Sequence, residues 1–186
     1  MAKIGLNNFR YGILTEASDG TAVYGGAKTP GKAVTCNVEI SNNDATLYAD
    51  DALAESDFSF AGGTCTMGID RFDYETQADL LGHTYSAQNG IKRNANDTAP
   101  YVGLGRVVVV MEDNTRKYRT EFLRKVKFSE PSQEDNTKGE NVEFNTIEIE
   151  GTIAALANGD WSEAKEFTTQ ADAIAHIEEL LGSISG

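Results

Sequence analysis

The sequence predicts a mainly β chain of the α+β type, a β-sandwich or barrel-like domain with a flanking helix and long loops. Three observations predict it. Val34, Cys36, Val38 and Ile40 alternate with Thr35, Asn37 and Glu39, the period of a half-buried strand. Val107-Val108-Val109-Val110-Met111 is continuously apolar and mostly β-branched, which suits a strand covered on both faces. The clearest helical face, Ala173, Ile174, Ile177, Leu180 and Leu181, lies near the C-terminus.

The remaining elements follow in order. Phe9 to Leu14 reads as a first strand. The Gly26 to Ala33 stretch reads as a Gly/Pro turn leading into the Val34 strand. A short helix is expected after Asp50-Asp51, with one of these acids as its cap. Phe58 and Phe60 alternate on even positions, and Cys65, Met67 and Ile69 on odd ones. The phase therefore flips across Gly62-Gly63, which marks a bulge or turn. Thr76 to Leu81 is expected to be a turn of helix stopped by Gly82. In Thr115 to Phe128, Tyr118, Phe122 and Val126 fit both periods; Phe128 on the same even face favours a strand. Val142, Phe144, Ile147, Ile149 and Ile153 alternate with a phase change near Asn145-Thr146. In the terminal helix Thr169 is the cap, Asp172 the third helical residue and Gly182 the stop. Residues 82–100 and 129–141 are polar, turn-rich and long for loops inside a compact domain. These features divide the chain into a β domain over 1–158 and a C-terminal segment over 159–186 with a helix at 170–181.

At 186 residues the chain fits one domain, or one domain with an appended element. Lys and Arg number 16 against 29 Asp and Glu, for a formal charge of −13. Such a surface repels nucleic acid, so tight DNA or RNA binding is not expected. No apolar run approaches the roughly 20 residues of a membrane span, so no membrane partner is expected. The opening residues lack the apolar stretch of a secretory signal. Two cysteines, Cys36 and Cys65, read as reduced core thiols. Two histidines, His83 and His176, without a close cysteine pair do not make a zinc site.

Four short motifs resemble functional signatures and fail on context. Gly26-Ala-Lys-Thr-Pro-Gly-Lys-Ala33 lacks the hydroxyl of a phosphate-binding loop and leads into a strand where that loop must open a helix. Tyr48-Ala-Asp-Asp51 matches a reverse-transcriptase signature over four residues, in a chain too short and too acidic for a polymerase. Gly103-Leu-Gly105 lacks the third glycine and the helix of a dinucleotide site. Asn96-Asp97-Thr98 has the form of a glycosylation sequon. No nucleophile and base constellation emerges. No enzyme activity, catalytic residue, cofactor or metal is expected.

Read as whole segments, the chain resembles the major tail protein (tail tube protein) family of long, non-contractile-tailed bacteriophages. The resemblance is carried by Ile4-Gly-Leu-Asn-Asn-Phe-Arg-Tyr-Gly-Ile-Leu-Thr-Glu16, by Ser41 to Glu55 and by Leu81-Gly-His-Thr-Tyr85. It is strongest over Thr98-Ala-Pro-Tyr-Val-Gly-Leu-Gly-Arg106 and the valine run behind it, and continues through Arg116 to Gly139. It covers about Met1 to Glu150. The resemblance implies hexameric rings of identical subunits, stacked into a tube that surrounds a tape measure protein and later passes DNA without binding it specifically. It further implies tail terminator and distal tail proteins as partners, assembly in the host cytoplasm and residence in the virion tail.

Charge placement accords with such an assembly. From Ala33 to Asp70 there is no Lys or Arg. Glu39, Asp44, Asp50, Asp51, Glu55 and Asp57 from that stretch are the candidate lumen-facing acids. Arg106 to Phe128 is rich in bases, of which Arg116, Lys117, Arg119, Arg124 and Lys125 are candidate subunit contacts. A head-to-tail ring needs two different complementary patches, and an acidic and a basic segment on one chain supply them. The two long loops are expected to order on contact with a neighbouring copy. The alternative is a β-sandwich adhesin or carbohydrate-binding module on a virion or cell surface. It requires an exposed aromatic platform, and the single tryptophan, Trp161, reads instead as a packing residue.

Overall fold

The computed structural model describes residues 2–49, 52–132 and 146–182, and for 44–49 and 52–58 the backbone pairing alone. The chain is mainly β, with antiparallel pairing throughout the described residues. β1 (Ala2–Glu16) and β2 (Ala22–Tyr24) form a first hairpin; β3 (Ala33–Ala49) and β4 (Ala52–Ile69) form a much longer one. α1 (Tyr74–Leu81) leads to a small hairpin of β5 (Thr84–Ser86) and β6 (Gly90–Lys92). β7 (Val102–Glu112), β8 (Thr115–Phe128), β9 (Ile147–Ile153), β10 (Ser162–Phe167) and α2 (Gln170–Leu180) complete the order.

The main sheet runs β2-β1-β7-β8-β9-β4-β3, and β10 also pairs with β8. β8 is where it divides. Along one edge β8 pairs with β10 over Tyr118 to Leu123 and with β9 over Val126 to Phe128. From that edge β9, β4 and β3 turn across the face of β1, β7 and β8. The enclosed core is one cluster from both halves, with Phe9, Tyr11, Leu104 and Val126 on one side and Met67 and Ile149 on the other. Leu80 and Leu81 of α1 close it.

β7 is covered on both faces, as its apolar run requires. Val102 and Leu104 face this core, whereas Val107 belongs to a second cluster with Phe122 and with Ala173, Ile177 and Leu181 around α2. Burying a side chain such as Ile177 contributes about 1.5–3 kcal/mol. Thr169 Oγ1 accepts the Asp172 N–H at 3.1 Å and caps α2; Gly182 follows its end with φ 80°. Gly82, with φ 79°, ends α1. In β1, Asn8 has φ 52° where the register slips between Asn7 and Arg10, a bulge that accompanies full burial of Phe9.

Several expectations are corrected. No helix follows Asp50-Asp51: Ala52 already belongs to β4 and pairs with Ala49. Ladder pairing with β3 overrides the local capping signal there. Asp50 and Asp51 themselves lie outside the described residues. The first strand is longer than Phe9 to Leu14, because β7 offers a partner from Ala2 onward. Residues 82–100 are not a bare loop but hold the β5–β6 hairpin. β10 carries no apolar alternation and is held by its ladder to β8, so its sequence alone gave no strand signal. The phase change at Asn145-Thr146 and most of segment 129–141 lie outside the described residues.

Candidate assembly surface

The β3–β4 hairpin outruns the sheet that supports it. β4 pairs with β9 from Ile69↔Ile147 to Gly63↔Ile153. Beyond that point the ladder continues from Ser41↔Gly62 to Ala49↔Ala52, with no third strand among the described residues. β3 is also the last strand of the sheet, and no strand among the described residues pairs with its outer edge. An unpaired edge presents a row of backbone donors and acceptors to any strand that approaches.

The root of this arm is built by the glycine pair. Between Ser41 and Asn42 the partner jumps from Gly62 to Phe60, which leaves Ala61 as the extra residue of a bulge. Gly62 has φ 135°, a conformation that favours glycine. Phe60 then stacks on Trp161, with ring centroids 4.7 Å apart and planes 7° from parallel. An open groove of about 420 Å³ lies beside the bulge, lined among others by Phe60, Gly62, Thr152 and Ile153.

The candidate lumen-facing acids spread along this hairpin. Glu39 is exposed on β3 and accepts a hydrogen bond from Asn37 Nδ2 at 3.0 Å. Asp44 pairs with Phe58, Glu55 with Leu47 and Asp57 with Ala45. The side chains of these three lie outside the described residues, as do Asp50 and Asp51 entirely.

Four of the five candidate contact bases are engaged inside the subunit. Lys117 Nζ donates to Glu112 at 2.6 Å and lies 3.8 Å from Glu166. The bond to Lys117 lowers the Glu112 carboxyl and raises the Lys117 ammonium. Arg119 lies 3.6 Å from both Glu121 and Glu166. Arg124 is paired with Glu163. Lys125 is paired with Glu16, whose carboxyl is held below its usual range by that bond and by the Ala157 N–H at 2.6 Å. Arg116 is exposed and makes no ion pair with a described residue. The bases of β8 thus tie β1, β7 and β10 to one another, which the charge count along the chain did not reveal. Beside them, Tyr101 remains 40% exposed, with Lys125 4.8 Å and Lys127 5.4 Å from its ring centroid.

Two further arrangements were invisible as sequence. His83, only 5% exposed, bridges Asp97 at 2.8 Å through Nδ1 and Glu130 through Nε2. Asp97 also accepts the Asn94 N–H at 2.8 Å, and the His83 bond holds its carboxyl below the usual range. Residues 82–100 are therefore fastened inside the subunit, to Glu130 just beyond the end of β8. Cys36 and Cys65 come together with sulfurs 4.0 Å apart. The available signal was the shared alternation of the two cysteine runs, which become neighbours once Val34 to Ile40 and Cys65 to Ile69 are paired as a hairpin.

Among the described residues no group of three His, Cys, Asp or Glu side chains could hold a metal ion. Gly103 and Gly105 serve packing: a β-carbon on Gly103 would stand 2.5 Å from the Tyr24 ring, and one on Gly105 2.3 Å from Ile177. Neither protein-family models nor curated proteins match the chain.

Proposed function

We propose that the chain is a structural subunit that assembles with identical copies into stacked rings, the tube of a long non-contractile phage tail. The observation that carries this reading is the arm: a two-stranded ladder from Ser41↔Gly62 to Ala49↔Ala52 beyond the last support from β9. A two-stranded hairpin alone is marginal in water. Pairing with a second copy along the open β3 edge stabilises both it and the ring. A head-to-tail contact, in which this edge meets a different surface of the next copy, gives a ring where the rotation between copies closes. The resemblance over about Met1 to Glu150 supports the same reading and supplies the ring number, six. Tape measure, tail terminator and distal tail proteins are the further partners it brings.

Acids of the arm line the lumen and keep passing DNA unbound. Glu39, Asp44, Asp50, Asp51, Glu55 and Asp57, from the Lys- and Arg-free stretch, are the candidate lining. Their influence reaches about 8 Å at physiological ionic strength, so only acids close to the DNA matter. The carbohydrate-binding alternative loses ground because one face of Trp161 is taken by Phe60.

Shortening the arm tests the reading. Replacing residues 43–59 with a two-residue Asn-Gly turn leaves a folded monomer that still melts cooperatively and no longer self-associates in sedimentation velocity. A shortened variant that still forms rings contradicts the assignment of the arm.

A further inference from the structure

Cys36 and Cys65 lie on adjacent strands at diagonal register positions: Cys36 is opposite Met67, and Val38 is opposite Cys65. Their sulfurs are 4.0 Å apart, against about 2.05 Å in a disulfide. The two thiols differ in access: Cys65 is fully buried, whereas Cys36 is half-buried on the edge strand. Arg106 of β7 has its Nη1 buried with no hydrogen-bond partner among the described residues.

We propose that Cys36 and Cys65 form a redox pair that low-molecular-weight disulfides oxidise to an internal cross-strand disulfide, Cys36 attacking and Cys65 resolving. This inference is independent of the tube reading.

The surroundings favour that division of roles. The hydrogen bond from Cys65 and the nearby Arg106 guanidinium lower the Cys36 thiol, against burial and the Glu121 carboxylate, which act the other way. The same hydrogen bond and burial raise Cys65, which stays protonated until it is needed. The Cys36 thiolate attacks one sulfur of RSSR, forming a mixed disulfide and releasing RS⁻. Cys65 then attacks Cys36 Sγ and displaces the second RS⁻, its proton passing to that leaving thiolate. The protein loses two hydrogens, and the reagent is reduced to two thiols once the first RS⁻ takes up a proton from water. The new bond joins β3 to β4 and encloses the whole arm between the linked residues.

Oxidised glutathione is the probe, applied to the full chain at pH 7 and followed by intact mass and denatured thiol titration. The expected result is loss of two hydrogens, no retained glutathione, both thiols lost and no intermolecular dimer. Cys65→Ser is expected to retain one glutathione on Cys36, and Cys36→Ser to remain unmodified. Arg106→Gln is expected to slow adduct formation on the Cys65→Ser background about twofold, because a higher thiol pKa lowers the thiolate fraction more than it raises nucleophilicity, with Arg106→Lys restoring most of the rate. Persistent glutathionylation of the native chain, disulfide-linked dimers or two unreacted thiols would each overturn the proposal.

Discussion

Ile177 of α2 rests directly on Gly105 of β7, so closely that a β-carbon on that glycine would fall 2.3 Å from Ile177 Cγ2. The second glycine of Gly103-Leu-Gly105 is thus a seat for the terminal helix. Gly105→Ala lifts α2 from the sheet and lowers stability by about 1–3 kcal/mol, the usual range for an overpacked core. Ile177→Ala leaves a cavity in its place and costs about 2–5 kcal/mol. Urea unfolding followed by far-ultraviolet circular dichroism measures both.

Tyr24 shares the same cluster, edge-on to Phe122 at 5.5 Å, and its hydroxyl donates to the Arg124 carbonyl at 2.8 Å. Burial is the largest cause pushing its pKa up from 10.0 to about 12. A raised folded pKa means the neutral form is favoured in the native state. Its contribution is whole below pH 10 and is lost as pH rises through about 12. Tyr24→Phe removes the hydroxyl, costs about 1 kcal/mol at pH 7 and flattens the alkaline limb of a stability–pH curve.

His83 joins residues 82–100 to the start of the 129–141 segment through Asp97 and Glu130. His83→Ala unfastens both. Limited proteolysis should then cut faster between Lys92 and Asp97 and just after Phe128, with little change in melting temperature. Asp97 is held below its usual 3.8 by His83, so its contribution is present above pH 3.8 and is lost as pH falls through the lower folded value.

Arg116 and Arg124 separate assembly from folding. Arg116 is exposed without an ion pair among the described residues, so Arg116→Glu should alter subunit stability by no more than about 0.5 kcal/mol while weakening self-association. Arg124→Glu sets a carboxylate against Glu163 and destabilises the subunit itself. Thermal melts and sedimentation velocity on the two variants distinguish the effects.

The elements that read clearly in the sequence are those whose signal is local. Val107 to Met111, the capped face around Ile177 and the phase flip at Gly62-Gly63 are written in adjacent residues, and the structure places each as expected. The failures come where partners lie far along the chain. Asp50-Asp51 reads as a helix cap because the pairing of Ala49 with Ala52 on either side of it carries no local mark. β10 is a strand because β8 leaves an edge free above β9. The bases of β8 look available for a partner until the folded chain brings Glu16, Glu163 and Glu166 beside them. The Cys36–Cys65 approach depends on the register of a hairpin whose arm separates the two residues.

The central claim, self-assembly through the unsupported β3–β4 arm, is tested most directly by negative-stain electron microscopy of the full chain across a concentration series. Particles should pass from monomers to six-fold rings and stacked tubes as concentration rises. Monodisperse single subunits at every concentration, with the arm intact, would contradict it.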